Sequence, residues 1–282
     1  MSKKNIHHTL WISMLIVINV GFLSSCKKEA LPDTVGNDGQ ISFFNVSAQL
    51  SNDVGYSGNA YVLTDLTDTI YKSGNLPGNN TPVFGQNEFQ YPSTIFNSTL
   101  RQPWVMYMRL KTGMHQFTLV DTGHYLRVRD KFAIAPNAPV SVYYTDSLGY
   151  FRSLILQDQL INKPGIVRLR FIDLSPDAGK VFFTINEKAA SSSGFVQSLK
   201  YGQSAPFVDY PNPRTDTLRI NFYQAADSST VVASAFLQAA PGRSYTLALN
   251  GYYNQSISYP DPKNGQYKSF SGFLSVLINT NN

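Results

Sequence analysis

The chain has 282 residues, enough for one large or two ordinary domains, with 43% apolar and only 15% charged side chains. So many tyrosines (17) and phenylalanines (18) exclude a disordered polyelectrolyte, while 19 glycines and 15 prolines suit short strands joined by turns. The net charge of +5 falls to about +3 once Lys3 and Lys4 are set aside with the N-terminal segment, so charge gives no footing for nucleic-acid binding.

Lys3 and Lys4 precede an apolar stretch, residues 10–22 (LWISMLIVINVGF), of 13 residues. That is short of the roughly 20 needed to span a bilayer and suits the apolar region of a secretory signal. Leu23-Ser24-Ser25-Cys26 follows, and it contains the chain's one cysteine. The stretch resembles the lipobox of bacterial lipoproteins, in which small residues precede the cut and the thiol takes the diacylglycerol. The resemblance implies a signal peptide over 1–25, Cys26 as lipidated N-terminus, and a membrane as partner; two or three acyl chains hold a protein stably. Residues 26–39 read as a flexible tether rich in turn formers. No aspartate follows Cys26 directly, which by analogy favours the outer membrane, on its periplasmic or its surface face. With one cysteine no internal disulfide forms, and each half must be held by its own core.

From Gln40 onward short apolar runs alternate with turn residues, and no window of twelve has helical spacing. In Val167-Arg168-Leu169-Arg170-Phe171 the apolar residues face one way and the arginines the other, toward solvent. Thr217-Leu218-Arg219-Ile220-Asn221-Phe222 and Tyr245-Thr246-Leu247-Ala248-Leu249 repeat this period of two, the second closed by Asn250-Gly251. The halves also match each other. Ile41-Ser42-Phe43-Phe44-Asn45-Val46-Ser47 aligns with Leu169-Arg170-Phe171-Ile172-Asp173-Leu174-Ser175, and 132–136 aligns with 236–241. The offset drops between the two matches, which places extra residues of the first copy within 50–102. The expected fold is all-β: two tandem immunoglobulin-like antiparallel β-sandwich domains, 40–158 and 165–282, joined through residues 158–165. A single continuous sandwich is the alternative.

Residues 167–178 (VRLRFIDLSPDA) and the later Pro241-Gly242-Arg243-Ser244-Tyr245-Thr246 resemble the domain of unknown function family 4397. The likeness covers residues 164–253; the first copy keeps Ser47 but has Ala48 in place of the proline. Membership implies an exported, immunoglobulin-like protein, often lipid-anchored, with no assigned activity. Physically, Ser175-Pro176-Asp177 is a strand-ending corner, since proline cannot donate to a ladder. Asp173 or Asp177 as a ligand carboxylate is the sharper alternative.

Nothing in the chain has the spacing of a catalytic or metal motif. Beyond the signal only His115 and His124 remain, with no cysteine partner, so no metal site or cofactor is expected. Asp146-Ser147 with His124 makes a triad only on paper, and neither a nucleophile elbow nor a phosphate loop is present. The expected function is a non-catalytic, lipid-anchored cell-envelope module that interacts with an envelope protein or glycan. One alternative is a glycan-binding surface lipoprotein using exposed tyrosines: neighbours on a strand point to opposite faces, so Tyr144, Tyr252 and Tyr253 are its candidate contacts. A second is a hydrolase with paired carboxylates in the interdomain cleft. Four Asp-Ser/Thr-apolar triplets, among them Asp146-Ser147-Leu148 and Asp216-Thr217-Leu218, resemble O-glycosylation acceptors of some Gram-negative envelopes.

Overall fold

Alternation of apolar and polar side chains becomes strand along most of the described chain. The structure, a computed structural model, describes residues 38–55, 59–65, 83–84, 90–92, 95–97, 102–227, 229–261 and 263–281. The signal, Cys26 and the tether up to residue 37 lie outside them, whereas Asp38 and Gly39, expected in the tether, already belong to the first strand.

The first half comprises β1 (Asp38–Asn45), α1 (Ala48–Val54), β2 (Ala60–Thr64), β3 (Val83–Phe84), β4 (Gln90–Tyr91), β5 (Ile95–Asn97), β6 (Gln102–Trp104), β7 (Met108–Lys111), β8 (Gly113–Asp121), β9 (Leu126–Ile134), β10 (Val140–Ser147) and β11 (Tyr150–Gln157). The second comprises β12 (Ile166–Asp173), β13 (Val181–Ile185), β14 (Lys188–Ala189), a 3-10 turn (Ala190–Ser193), β15 (Gln203–Ser204), β16 (Val208–Pro211), β17 (Asp216–Gln224), β18 (Val231–Ala239), β19 (Ser244–Gly251), β20 (Ser256–Pro260), β21 (Tyr267–Ser271) and β22 (Leu274–Asn281).

The repeat seen in the sequence is a repeat of topology. In the first half one sheet runs β11-β10-β1, with β4 and β7 sharing the outer edge of β1; in the second, β22-β19-β12 runs with β15 and β16 sharing the edge of β12. The partner sheets are β3-β2-β8-β9 and β14-β13-β17-β18. The ladders are antiparallel except that β1 pairs parallel with β10, β12 with β19, and β22 with β6 through Thr280 and Trp104. The last pairing carries the second half's sheet onto strands of the first. The extra length of the first copy has two sources, the seven-residue helix α1, which starts at Ala48 just before the expected window, and the chain between β2 and β8, which runs past its end to residue 112.

Side-chain parity shows how the sheets stack. Ile41, Phe43, Val142 and Tyr144 point into a core shared with β2, β8, β9 and α1. Val167, Leu169, Phe171, Leu247 and Leu249 point into a second core shared with β13, β17 and β18, where the Phe171 and Phe183 rings stack at 3.9 Å. The intervening residues Phe44, Tyr143, Ile172 and Ala248 form a third cluster between the two halves, with Phe44 and Tyr143 stacked at 4.7 Å. Four sheets therefore lie in layers, and the two central ones are buried on both faces.

That stacking corrects the reading of β12 as wet on one side. Arg168 is partly exposed and pairs with Asp209 at 2.7 Å, but the Arg170 side chain is only 3% exposed. Its guanidinium donates to the Asp158 carboxylate, to the Gln157 carbonyl at 2.9 Å and to Thr246 Oγ1 at 2.9 Å, and it lies over the Phe207 ring. Asp158 also accepts from Tyr107 Oη at 2.8 Å and from Ser141 Oγ at 2.5 Å. Buried ions persist only when paired and fully hydrogen-bonded, and this network meets that demand. The joining segment is strapped down at its first two residues, Asp158 through this network and Gln159 through its carbonyl, which accepts from Ser244 Oγ at 2.6 Å.

Candidate binding cleft

Where the central sheets end, the halves part and a cleft of about 520 Å³ opens. One wall comes from the first half, where β1 runs out into α1. Asn45 accepts a hydrogen bond from the Ser47 amide at 3.1 Å, turning the chain, and Ser47 then caps the helix by accepting from the Leu50 amide at 2.9 Å. The Ser47 hydroxyl also donates to Asp146, which accepts from Tyr252 Oη as well, and Gln49 Oε1 accepts from the Gly149 amide at 2.6 Å. Burial raises the Asp146 pKa, opposed by these donors.

The opposite wall comes from the second half. After β19 the chain turns and forms the hairpin β20–β21, which has no counterpart in the first half. Asp177 fixes that turn, accepting from the Tyr253 amide at 2.7 Å and the Asn254 amide at 2.9 Å. The Ser-Pro-Asp corner thus holds a neighbouring loop. Gly251 (φ +86°) is required here: a Cβ would meet the Phe273 carbonyl oxygen at 2.0 Å, and that carbonyl accepts from the Tyr252 amide at 3.2 Å.

The hairpin reaches back across the cleft to the first half. Tyr259 Oη donates to Asp53 at 2.7 Å and accepts from Asn52 Nδ2 at 3.0 Å; Lys268 lies 3.1 Å from Asp53 and 2.9 Å from Asp261; Lys263 lies 2.6 Å from Asp121. Arg127 closes the lattice, with Nη2 at 3.0 Å from Asp53 and 2.9 Å from Asp121. For Asp121 and Asp261, burial pushes the pKa up but the cations and backbone donors outweigh it, so both lie below the usual carboxylate range. Three carboxylates and three cations neutralise one another beside the cleft, so none of this charge is presented to it.

The cleft lining itself carries no ionisable side chain. Asn45, Asn52, Asn250, Ser47, Ser51, Ser271 and Ser275 supply amides and hydroxyls; Phe270, Phe273, Val46, Val276 and Leu277 supply the apolar surface. Phe270 is held edge-on by Tyr252 and Tyr259, centroids 5.5 and 5.8 Å away, whereas Phe273 is 69% exposed. Such a lining can hold an uncharged ligand with both polar and apolar faces, and it offers no general acid or base.

Of the residues singled out in the sequence, Leu23, Ser24, Ser25 and Cys26 lie outside the described residues. Tyr144 and Tyr252 are corrected as surface contacts. Tyr144 is fully buried, parallel to Phe43 with centroids 6.2 Å apart, because both faces of β10 are covered; Tyr252 is 2% exposed and spends its hydroxyl on Asp146. Tyr253 is 43% exposed, on the turn that leads into the hairpin. His115 contacts Asp65 at 2.7 Å and His124 sits in the β8–β9 turn at φ +61°; among the described residues no cluster could hold a metal ion. The paper triad has no counterpart, since Asp146 is engaged by Ser47 and Tyr252. Thr217 is exposed on β17, accepting from Gln238 Nε2 at 2.8 Å. The cleft residues carry no pattern of their own in the sequence, because α1 spans only seven residues and the hairpin continues the alternation of the strands; the Asn264-Gly265 pair, with Gly265 at φ +73°, is the readable signal for its turn.

Asp173 occupies the position of Asn45 and makes the same turn, accepting from the Ser175 amide at 2.9 Å. Its other oxygen is buried without a partner, and burial pushes its pKa up to about 7. The folded protein holds that proton where the unfolded chain has lost it, so stability falls as pH rises from about 4 to about 7 and is flat above. At about 1.4 kcal/mol per pH unit, the ionised group costs a few kcal/mol at neutral pH and above. Asp173→Asn, the first copy's own solution, is expected to raise Tm near pH 8 and leave it unchanged near pH 4. Calorimetry at the two pH values checks this, and a gain confined to acid would contradict it.

No family model matches the chain, and no curated protein matches it. Among solved structures, it is similar to the family 26 carbohydrate-binding module of Amy13K from Eubacterium rectale, solved with maltoheptaose: 9% identity over 82% of this chain and 96% of that one, TM-score 0.21. A Bacteroides fragilis protein with a suggested role in cell adhesion matches at 9% identity over 83% and 96%, TM-score 0.19. At such scores neither likeness carries weight.

Proposed function

We propose that this chain is a non-catalytic envelope lipoprotein, anchored in the outer membrane through Cys26, whose two β-sandwich repeats act together as one interaction module for an envelope protein or glycan. The observation that carries this reading is the cleft, built jointly by α1 of the first repeat and the β20–β21 hairpin of the second and lined only by uncharged side chains. A lining without a proton donor or acceptor of suitable pKa supports binding and offers nothing to hydrolysis. The lipobox supports the anchor.

A photo-reactive amino acid at position 273, on the cleft, is expected to cross-link an envelope component in intact cells, whereas the same group at Val231 on β18 is not. Equal labelling from both positions, or none from either, would overturn the reading. For the anchor, labelled palmitate is expected in the parent protein and absent from Cys26→Ser, which should leave the membrane fraction.

A further inference from the structure

Within that interaction reading, we propose that the cleft binds a neutral oligosaccharide, with a sugar ring stacked on Phe273 and its hydroxyls hydrogen-bonded to Asn52 and Asn250. Three observations carry this. First, the lining has no charge, although the chain as a whole is basic (+5). An anionic or cationic ligand would lose its hydration there without gaining a counter-charge.

Second, the polar groups are not all consumed by the fold. Asn52 uses its Nδ2 on Tyr259, and Asn250 accepts from Ser275 through Oδ1; the other atom of each amide, one acceptor and one donor, has no partner among the described residues. A purely apolar ligand such as an acyl chain would cover these groups without pairing them, at a cost in affinity. A sugar hydroxyl both donates and accepts, so the hydroxyls of an oligosaccharide can satisfy both amides.

Third, Phe273 is a large ring left in water on a loop held from behind. Its carbonyl is tied to the Tyr252 amide, and only a glycine at 251 lets the two segments approach so closely. An exposed aromatic face on a backbone held in this way gains by covering the C–H face of a pyranose. Phe270, braced by Tyr252 and Tyr259, extends the apolar surface inside the cleft.

The test is calorimetric titration of the full-length protein in detergent with short malto-, cello-, xylo-, manno- and chito-oligosaccharides. At least one is expected to bind saturably, with an affinity indifferent to salt because no charge is engaged. Phe273→Ala is expected to weaken it roughly tenfold or more, and Phe273→Trp to preserve it. Melting curves of both variants should match the parent, since the ring is exposed. Binding of none of these sugars, binding that Phe273→Ala leaves unchanged, or binding suppressed by salt would overturn the proposal. If position 273 cross-links a polypeptide in cells while every oligosaccharide fails, the ligand class is wrong and the interaction reading stands; if both fail, both fall.

Discussion

Replacing Arg170 by methionine is expected to lower the unfolding free energy by about 3–5 kcal/mol, the usual cost of leaving a buried carboxylate without its partner. The carboxylate is Asp158, whose side chain is fully buried between the halves. Methionine keeps much of the packing volume against Phe207, so the loss reports charge rather than a cavity. Two further variants separate these terms. Asp158→Asn alone leaves the guanidinium unpaired and should also be costly, whereas the double variant should recover part of the loss, with a coupling of about 1–3 kcal/mol. Urea unfolding of the four proteins measures this cycle. Simple additivity would mean that water reaches the pair in solution, contrary to its burial. Because Asp158 is the first residue of the joining segment and Arg170 lies in β12, the damage should fall on the contact between repeats.

The second large effect is expected at Arg127. Its guanidinium is 1% exposed, touches Asp53 (0% exposed) and Asp121 (3% exposed), and lies between the Tyr125 and Phe151 rings at 5.2 and 4.9 Å. Arg127→Ala strips the one fully buried cation from two buried carboxylates and should again cost about 3–5 kcal/mol. Lys263→Ala and Lys268→Ala act on the same carboxylates, but these amines are 35% and 37% exposed, so solvent screening limits their effect to about 1 kcal/mol or less. That ranking distinguishes a buried lattice from a set of surface pairs. Acid should mimic part of the Arg127 change. The depressed pKa values of Asp121 and Asp261 mean that their stabilisation is present above about pH 4 and is lost as pH falls below it. Hydrogen exchange should locate the damage: in Arg127→Ala, amides of β20 and β21 are expected to exchange faster than those of β17 and β18, because the hairpin is held to the first half through this lattice. Uniform acceleration would show that the lattice stabilises the whole body and not the cleft wall in particular.

Much of the architecture could be read from residue order. The period of two in Val167-Arg168-Leu169-Arg170-Phe171 marked a strand, and the match of Asn45-Val46-Ser47 with Asp173-Leu174-Ser175 marked a duplicated corner, because both signals are local and survive without knowledge of distant neighbours. The same alternation misled for the second face. A polar residue at every other position looks like a wet surface, yet Arg170, Thr246 and Ser141 are buried, since Asp158, the Gln157 carbonyl, Asn281 and one another supply their hydrogen bonds in place of water. For the same reason Tyr143 and Tyr144 point to opposite sides, as expected, but neither side is solvent.

Sequence by itself determined what depends on near neighbours: strand periodicity, the glycine- and asparagine-bearing turns, the duplication, and the lipobox pattern ending at Cys26. Tertiary structure alone decided what depends on residues far apart in the chain. It set the two repeats back to back, brought Arg170 to Thr246, and sent a hairpin of the second repeat onto Asp53 and Asp121 of the first. The cleft follows from that last contact, because its walls lie some two hundred residues apart and no local pattern in the chain records which loops will meet.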